Sequence, residues 1–131
     1  MAEADPEELL PESDRDFLVE KDLDYDVKRV GNDVHVIFRG YELPDAYTPR
    51  TVDLRIILPA GYPNANLDMF WTYPEVRLAN GAEPDRCQVR QSFDGQDWQR
   101  WSRHFEHPWR QGIDDLRTFY TTIGREISRG V

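Results

Sequence analysis

Four short segments between residues 25 and 71 have the composition of β-strands, and two of them alternate apolar and polar side chains. They cover residues 25–30, 34–38, 51–58 and 67–71. Gly31, Asn32 and Asp33 separate the first two, and this turn sequence predicts a hairpin. Because the connections are short, consecutive strands are expected to pair side by side in opposite directions. The pattern therefore predicts a four-stranded antiparallel meander.

A short helix is predicted before the first strand. Ser13 is a favourable N-cap, and Asp14 and Asp16 suit the positive end of a helix dipole. The helix is expected to end near Asp22. Its apolar side is expected to come from Leu10, Phe17, Leu18 and Val19. So short a helix is marginal alone and must dock on the sheet.

A second, amphipathic helix is predicted from about residue 112 to residue 128. Five apolar side chains fall on one face at helical spacing: Ile113, Leu116, Tyr120, Ile123 and Ile127. Between the fourth strand and this helix, residues 72–111 show no periodicity and hold three prolines and two glycines. The expected fold is α+β, with the helices set around an antiparallel sheet and a long loop-rich segment before the last helix.

The charge of the chain is uneven. The net charge is −9 over 131 residues, and residues 1–26 supply all of it. Residues 1–10 are expected to be a flexible acidic segment, and residues 11–131 a single domain. The remaining chain has balanced charge, so it lacks the clustered positive charge that nucleic-acid binding needs. The acidic segment is either a solvated tail or a docking surface for a basic partner.

Cysteine content and hydropathy limit the kinds of site that the chain can form and the compartment that it fits. A single cysteine excludes an intramolecular disulfide and a multi-cysteine zinc site, and fits a reducing, cytoplasmic compartment. The N-terminus does not have the pattern of a signal peptide, and no apolar run approaches membrane-spanning length. No cofactor and no membrane partner are expected.

Cys87 is the candidate nucleophile. Arg86 and Arg90 favour its thiolate, while Asp85 opposes it. His104 is the candidate general base, because an imidazole titrates near neutral pH. Two structural alternatives stay open: an inert, partly buried thiol, and a histidine that only bonds a backbone carbonyl. A metal site built from Cys87, His104 and His107, with Asp97 or Glu106 as a fourth ligand, matches no known ligand spacing, so none is predicted.

Residues 98–109, WQRWSRHFEHPW, concentrate aromatic and basic side chains. Trp98 and Trp101 can either pin the loop to the sheet or belong to a recognition patch. In the second case Arg100 and Arg103 would contact the tail or the carboxylates of a partner.

Two motifs carry a resemblance to a known family. Tyr62-Pro63 lies before the fourth strand, and Cys87 follows Tyr62 by 25 positions, with Trp98 further on. In these features the chain resembles the ubiquitin-conjugating enzyme (UBC) fold. The strings GYPNANLDMFW and WQRWSRH are similar to the prokaryotic family labelled E of that superfamily, over roughly residues 10–128. Eukaryotic members carry His-Pro-Asn upstream of the cysteine. Here that position holds Arg77, Leu78 and Ala79, and Asn80 is the nearest amide.

The resemblance implies two functions. In the first, Cys87 takes a ubiquitin-like protein from an activating enzyme as a thioester and passes it to an amine. In the second, the chain is an inactive UBC-fold module that binds a ubiquitin-like protein noncovalently. The implied partners are a ubiquitin-like protein, an activating enzyme and a JAB-type peptidase.

Overall fold

The structure is a computed structural model, and it describes residues 10–21, 24–62, 64–65, 67, 69–84, 87, 89–102 and 109–129. The fold is α+β, with two helices and one main antiparallel sheet. The elements are α1 (Glu12–Glu20), β1 (Tyr25–Val30), β2 (Asp33–Glu42), β3 (Tyr47–Thr48), β4 (Thr51–Leu58), β5 (Met69–Tyr73), β6 (Arg77–Leu78), β7 (Arg90–Phe93), β8 (Gln96–Ser102) and α2 (Leu116–Arg129).

The predicted meander is present in the first four strands of the main sheet. The β1–β2 hairpin is confirmed, with Val30 opposite Asp33 and Gly31 at φ 62°. β4 follows the predicted bounds, and β5 lies two residues later than the predicted fourth strand. The prediction of only four strands is wrong. Among the described residues the main sheet has six strands, in the order β1-β2-β4-β5-β8-β7, and β3 pairs with β6 in a separate two-stranded sheet.

The two added strands come from the segment predicted to be loop-rich. β7 and β8 form a hairpin whose turn residues, Asp94 and Gly95, have φ angles of 54° and 77°. Two successive residues with positive φ match the right-handed twist of the flanking strands, and Asp-Gly is a preferred pair for that turn. β8 then pairs with β5 and extends the sheet.

Both helices depart from their predicted starts. α1 begins after Pro11 without a side-chain cap, and Val19 is 73% exposed, so neither the Ser13 cap nor Val19 contributes as predicted. α2 begins at Leu116, because Asp115 and Thr118 cap it reciprocally, with Thr118 N donating to Asp115 Oδ1 over 3.1 Å. Ile113 therefore lies outside the helix and is 62% exposed, and Phe119 takes the buried place instead.

The two faces of the main sheet bury different cores. The larger core joins the sheet to both helices, and includes Phe17, Leu18, Val36, Phe38, Leu54, Ile56, Phe70, Trp101, Leu116, Phe119, Ile123 and Ile127. The smaller core lies on the opposite face and is formed by Ile37, Trp71 and Trp98. No helix covers this second face among the described residues. The β7–β8 hairpin covers it, because the sheet curls until the hairpin turn at Asp94 reaches Lys28 of β1.

An ion pair and a ring contact mark where the curled sheet meets itself. Lys28 Nζ of β1 lies 3.3 Å from Asp94 Oδ2, at the hairpin turn. The rings of His35 and Phe93 pack edge to face, with centroids 5.4 Å apart. The hairpin thus closes over the sheet and makes an interior on the side away from the helices.

Candidate functional site

Cys87 lies between β6 and β7 and is fully buried in the larger core. Two side chains donate to its carbonyl oxygen: Arg90 Nη1 at 2.6 Å and Gln99 Nε2 at 3.5 Å. The backbone at Cys87 is therefore held on the helix-facing side of β8. Its neighbours Asp85, Arg86 and Gln88 lie outside the described residues.

Gln99 is the buried amide that organises this region. Its Oε1 accepts from Val76 N at 2.8 Å and from Thr72 Oγ1 at 3.2 Å, and its Nε2 donates to Val76 O at 3.0 Å. Trp101 Nε1 in turn donates to Thr72 Oγ1 over 2.8 Å. One carboxamide thus ties both ends of the segment from Val76 to Cys87 to the sheet, which satisfies polar groups that would otherwise be costly to bury.

Arg90 joins the Cys87 carbonyl to two carboxylates. Its Nη2 bonds Glu83 Oε1 at 2.8 Å and also bonds Glu75. The hydrogen bond from Arg90 lowers the pKa of Glu75. The guanidinium of Arg90 bonds two carboxylates and a carbonyl oxygen. Its main effect is therefore to hold the segment before β7 in place.

The predicted site residues separate onto the two faces of β8. Trp101 and Gln99 belong to the side that holds Cys87, while Trp98 packs in the smaller core on the other side. Trp98 is 1% exposed and Trp101 is fully buried, so both side chains pack inside the described structure. Arg100 is half-buried, and its Nε donates to Ser102 Oγ at 3.0 Å.

The remaining candidates are peripheral or outside the described residues. Asn80 is exposed in a turn, where its Oδ1 accepts from Ala82 N at 3.0 Å. Arg103, His104, Glu106 and His107 lie outside the described residues. Within the part of the chain that the structure describes, no group of His, Cys, Asp and Glu side chains could hold a metal ion.

A second polar cluster, absent from the sequence interpretation, lies in the smaller core around Arg55. This arginine is fully buried, and its guanidinium carbon lies 4.6 Å from the Phe93 ring centroid and 4.8 Å from that of Trp98. Arg55 Nε donates to His35 Nδ1 at 2.9 Å, and Nη2 bonds Asp94 Oδ2 at 2.8 Å. Within the described residues, Arg55 Nη1 and Trp98 Nε1 have no hydrogen-bond partner.

His35 is held neutral by this cluster. Burial, and next the positive charge of Arg55, lower the pKa of His35 from 6.5 to about 4. A protonated ring would lose its Nδ1 lone pair and with it the bond from Arg55. The neutral histidine therefore supplies one of the hydrogen-bond acceptors that the buried Arg55 needs. The alternating pattern of β4 could not reveal it, because that pattern places Arg55 on the face expected to meet water.

Tyr62 of the Tyr-Pro pair connects both helices to the segment between β4 and β5. Its hydroxyl donates to Asp14 Oδ2 in α1 at 2.5 Å and accepts from Leu116 N, the first residue of α2, at 2.6 Å. Asp14 is fully buried, and burial raises the pKa of its carboxyl. The connection between β4 and β5 is thereby fastened to both helices at one point.

The sequence matches the model of one protein family, described as prokaryotic E2 family E, over residues 10–130. The chain belongs to prokaryotic E2 family E. The match spans both helices, the whole sheet, the Tyr-Pro connection and Cys87. No curated protein and no solved structure matches the chain.

The family assignment agrees with the resemblance seen in the Tyr-Pro pair and in WQRWSRH. In this member of prokaryotic E2 family E, Tyr62 joins the helices, while Gln99 and Trp101 secure the segment before β7. Among the described residues, no helix has the length and apolar character needed to cross a membrane.

Proposed function

We propose that this family member accepts a ubiquitin-like protein as a thioester on Cys87 and passes it to an amine. The observation that carries the proposal is the position of the chain's one cysteine. Arg90 and Gln99 hold its carbonyl at a fixed point beside β8, in a chain matched by an E2 family model. The expected partners are a ubiquitin-like protein, its activating enzyme and a JAB-type peptidase. The cytoplasm is the expected setting, because it keeps a lone thiol reduced.

The reaction is an exchange followed by aminolysis. The Cys87 thiolate attacks the thioester carbon carried by the activating enzyme; one S–C bond forms as the other breaks, and the enzyme's thiol leaves. An acceptor amine then attacks the new thioester, loses a proton to a base, and releases the Cys87 thiol. His104 is our candidate for that base. The donor that stabilises the tetrahedral oxyanion is unassigned, and Asn80 is the nearest amide in sequence to the position that the eukaryotic motif would occupy.

The proposed reaction requires the buried sulfur of Cys87 to become accessible. Cys87 is fully buried, and a transferring thiol must meet a second protein. The sulfur of Cys87 therefore has to leave the core before the exchange. The bonds from Arg90 and Gln99 are on its carbonyl, so the backbone can stay anchored while the side chain turns outward.

The burial of Cys87 favours a second candidate, noncovalent binding of a ubiquitin-like protein. In that case the thiol is a small core side chain. The interior tryptophans then stabilise the fold, and Arg100 and Asn80, which keep exposed surface, are the residues from the predicted site that remain for contact. Arg103 stays a candidate for the same contact.

A loading assay separates the two candidates. The protein is incubated with the activating enzyme and the ubiquitin-like protein encoded beside it, with ATP, and run on a non-reducing gel. Thioester transfer predicts an adduct that thiols cleave and that Cys87→Ala abolishes. Thr121→Ala, a change at an exposed position of α2, is the matched control and should load. No adduct from a charged activating enzyme, with binding retained by Cys87→Ala, would establish the noncovalent function.

The role of His104 is tested after loading. Preformed thioester is mixed with free lysine, and its decay is followed across pH for the wild type and for His104→Gln. A base predicts that loading is unchanged while aminolysis slows at least tenfold near neutral pH. Equal decay in the two proteins would exclude this role.

A further inference from the structure

The edge of the sheet nearest Cys87 in sequence is β7, which begins three residues after it. In the described part of the chain, β7 pairs with β8 alone. Its outer side therefore offers backbone groups that no neighbouring strand uses. Such an edge is a template for an added strand unless the protein protects it.

The register shows which backbone groups face outward. Arg100 N donates to Val89 O at 2.9 Å, so these two opposite residues form a hydrogen-bonded pair. Antiparallel ladders alternate, so the pair of Gln91 and Trp98 is also hydrogen-bonded. The N–H and C=O groups of Arg90 and Ser92 must then point away from β8. These two residues present a ladder of outward donors and acceptors.

The two edges of the sheet differ in protection. β1, the opposite edge, carries Asp26, Lys28 and Arg29, and edge charges of this kind oppose strand addition. β7 has one charged residue, Arg90, whose guanidinium is bound to Glu75 and Glu83. Ser92 is exposed and uncharged. The side-chain oxygen of Gln91 accepts a hydrogen bond from Trp71 Nε1 at 2.8 Å.

We propose that the outer edge of β7 binds the extended C-terminal tail of the ubiquitin-like protein as an added strand. This inference rests on the proposed role of Cys87 as the acceptor of that tail. A chain end that reaches a thiol between packed elements must be extended. Ser92 is five residues beyond Cys87, or about 16 Å along a strand at about 3.3 Å per residue. Main-chain pairing would hold any tail sequence, and side-chain pockets would select among tails.

The test attaches a tail at the proposed acceptor. The probe is the peptide Thr-Val-Thr-Val-Thr-Val-Gly-Gly, ending in aminoethanethiol and activated as a pyridyl disulfide. The Cys87 thiolate displaces pyridine-2-thione and forms a mixed disulfide. Amide hydrogen exchange at Arg90 and Ser92 is then followed by NMR. We expect at least a tenfold slowing at both, because tethering gives a millimolar effective concentration. The same peptide N-methylated at alternate amides cannot pair and should give no slowing.

Two variants of β7 form the matched pair. Ser92→Pro removes an outward N–H and no bond to β8, so the sheet should stay intact while pairing is lost and Arg90 exchanges fast again. Ser92→Ala keeps the N–H and should behave as the wild type. Equal protection with the N-methylated peptide, or in Ser92→Pro, would overturn the inference. A third result would also overturn the inference: slow exchange of these amides without peptide, in a protein that sediments as a dimer. A second copy of the chain would then occupy the edge.

Failure of the edge and failure of the proposed function give different results. A loaded Cys87 with unprotected β7 amides rejects the added strand and leaves thioester transfer standing. If the native thiol does not react, thioester transfer loses its support. The edge is then tested with free peptide at millimolar concentration on Cys87→Ala. Slowed exchange at Arg90 and Ser92 supports the inference there, and unchanged exchange rejects it.

Discussion

Tyr62 and Asp14 share a 2.5 Å hydrogen bond that joins the Tyr-Pro connection to α1, and the same Tyr62 hydroxyl accepts the first N–H of α2. Asp14 Oδ1 lies 3.4 Å from that N–H. Asp14 and Tyr62, from distant parts of the chain, thus satisfy the N–H of Leu116, which the Asp115–Thr118 cap does not use. Burial alone would make Asp14 costly, and Tyr62 offsets that cost.

Removing this hydroxyl should destabilise the fold. Tyr62→Phe leaves a buried carboxyl and a helix N–H each short of a partner, so we expect a loss of about 2–3 kcal/mol in the free energy of unfolding. Urea denaturation measures it. Tyr73→Phe is the control, because no hydrogen bond of the Tyr73 hydroxyl is present in the described structure, and it should lie within about 0.5 kcal/mol of the wild type. Equal effects of the two changes would contradict the role of Tyr62.

The neutral His35 predicts that acid weakens the protein in a defined interval. The unfolded chain binds a proton at His35 near pH 6.5, and the folded protein only near a pKa of about 4. The unfolded state therefore holds more protons between these values, and stability falls as pH drops from 6.5 to about 4. The loss from this residue reaches up to about 3 kcal/mol and then levels off.

Replacing His35 isolates its share of the acid effect. In His35→Gln the amide oxygen can still accept from Arg55 Nε, but nothing titrates at that position. Urea unfolding is measured at pH 7, 5.5 and 4 for both proteins. The difference in stability between pH 7 and pH 4 should be smaller in His35→Gln. Parallel curves for the two proteins would show that His35 does not carry the dependence.

Arg55 should matter far more than an arginine at the rim of the sheet. Arg55→Met removes the hydrogen bond to His35 Nδ1, the bond to Asp94, which keeps Lys28 as a partner, and the cation between two rings. We expect a loss of about 2–3 kcal/mol. Arg39→Met is the comparison, because Arg39 pairs with Asp26 and Asp53 near solvent. It should cost about 1 kcal/mol or less. Similar midpoints in guanidinium denaturation would count against a special role for Arg55.

Two glycines should respond in opposite directions to alanine. A Cβ at Gly124, in the middle of α2, meets the Tyr41 hydroxyl at 3.6 Å, an ordinary contact. Gly124→Ala should therefore stabilise the protein by up to about 1 kcal/mol through helix propensity. Gly40 has open space around it but a φ of 70°, so Gly40→Ala should destabilise by about 1 kcal/mol. Thermal unfolding of both variants checks the signs.

Local patterns predicted the parts of the fold that are set by neighbours in sequence. The alternation of residues 25–30 and 51–58 and the turn at Gly31 correspond to β1, β4 and the first hairpin. The second hairpin carried one local signal, the Asp94-Gly95 pair at its turn. β8 itself does not alternate in sequence, because it buries Trp98 on one face and Gln99 and Trp101 on the other. The Asp115 and Thr118 pair likewise marked the true start of α2.

The candidate site depended on contacts that no local pattern contains. Gln99 is one polar residue on a strand, and its partners lie 12 and 23 residues away at Cys87 and Val76. Arg55 appears solvent-facing until the hairpin folds over it. Cys87 could be singled out as the only thiol, but its full burial follows from how the segment before β7 packs.

The three-residue offset between Trp98 and Trp101 has a spectroscopic consequence. Their indoles lie on opposite sides of one strand: Trp98 lies 4.8 Å from the guanidinium carbon of Arg55, and Trp101 is stacked on Phe70 at 5.2 Å. A single strand therefore carries two intrinsic fluorophores in unlike surroundings. Replacing one of them with phenylalanine, together with Trp71 and Trp109, would leave the other as the single tryptophan of the chain. Motions near the helices and motions under the hairpin could then be followed separately.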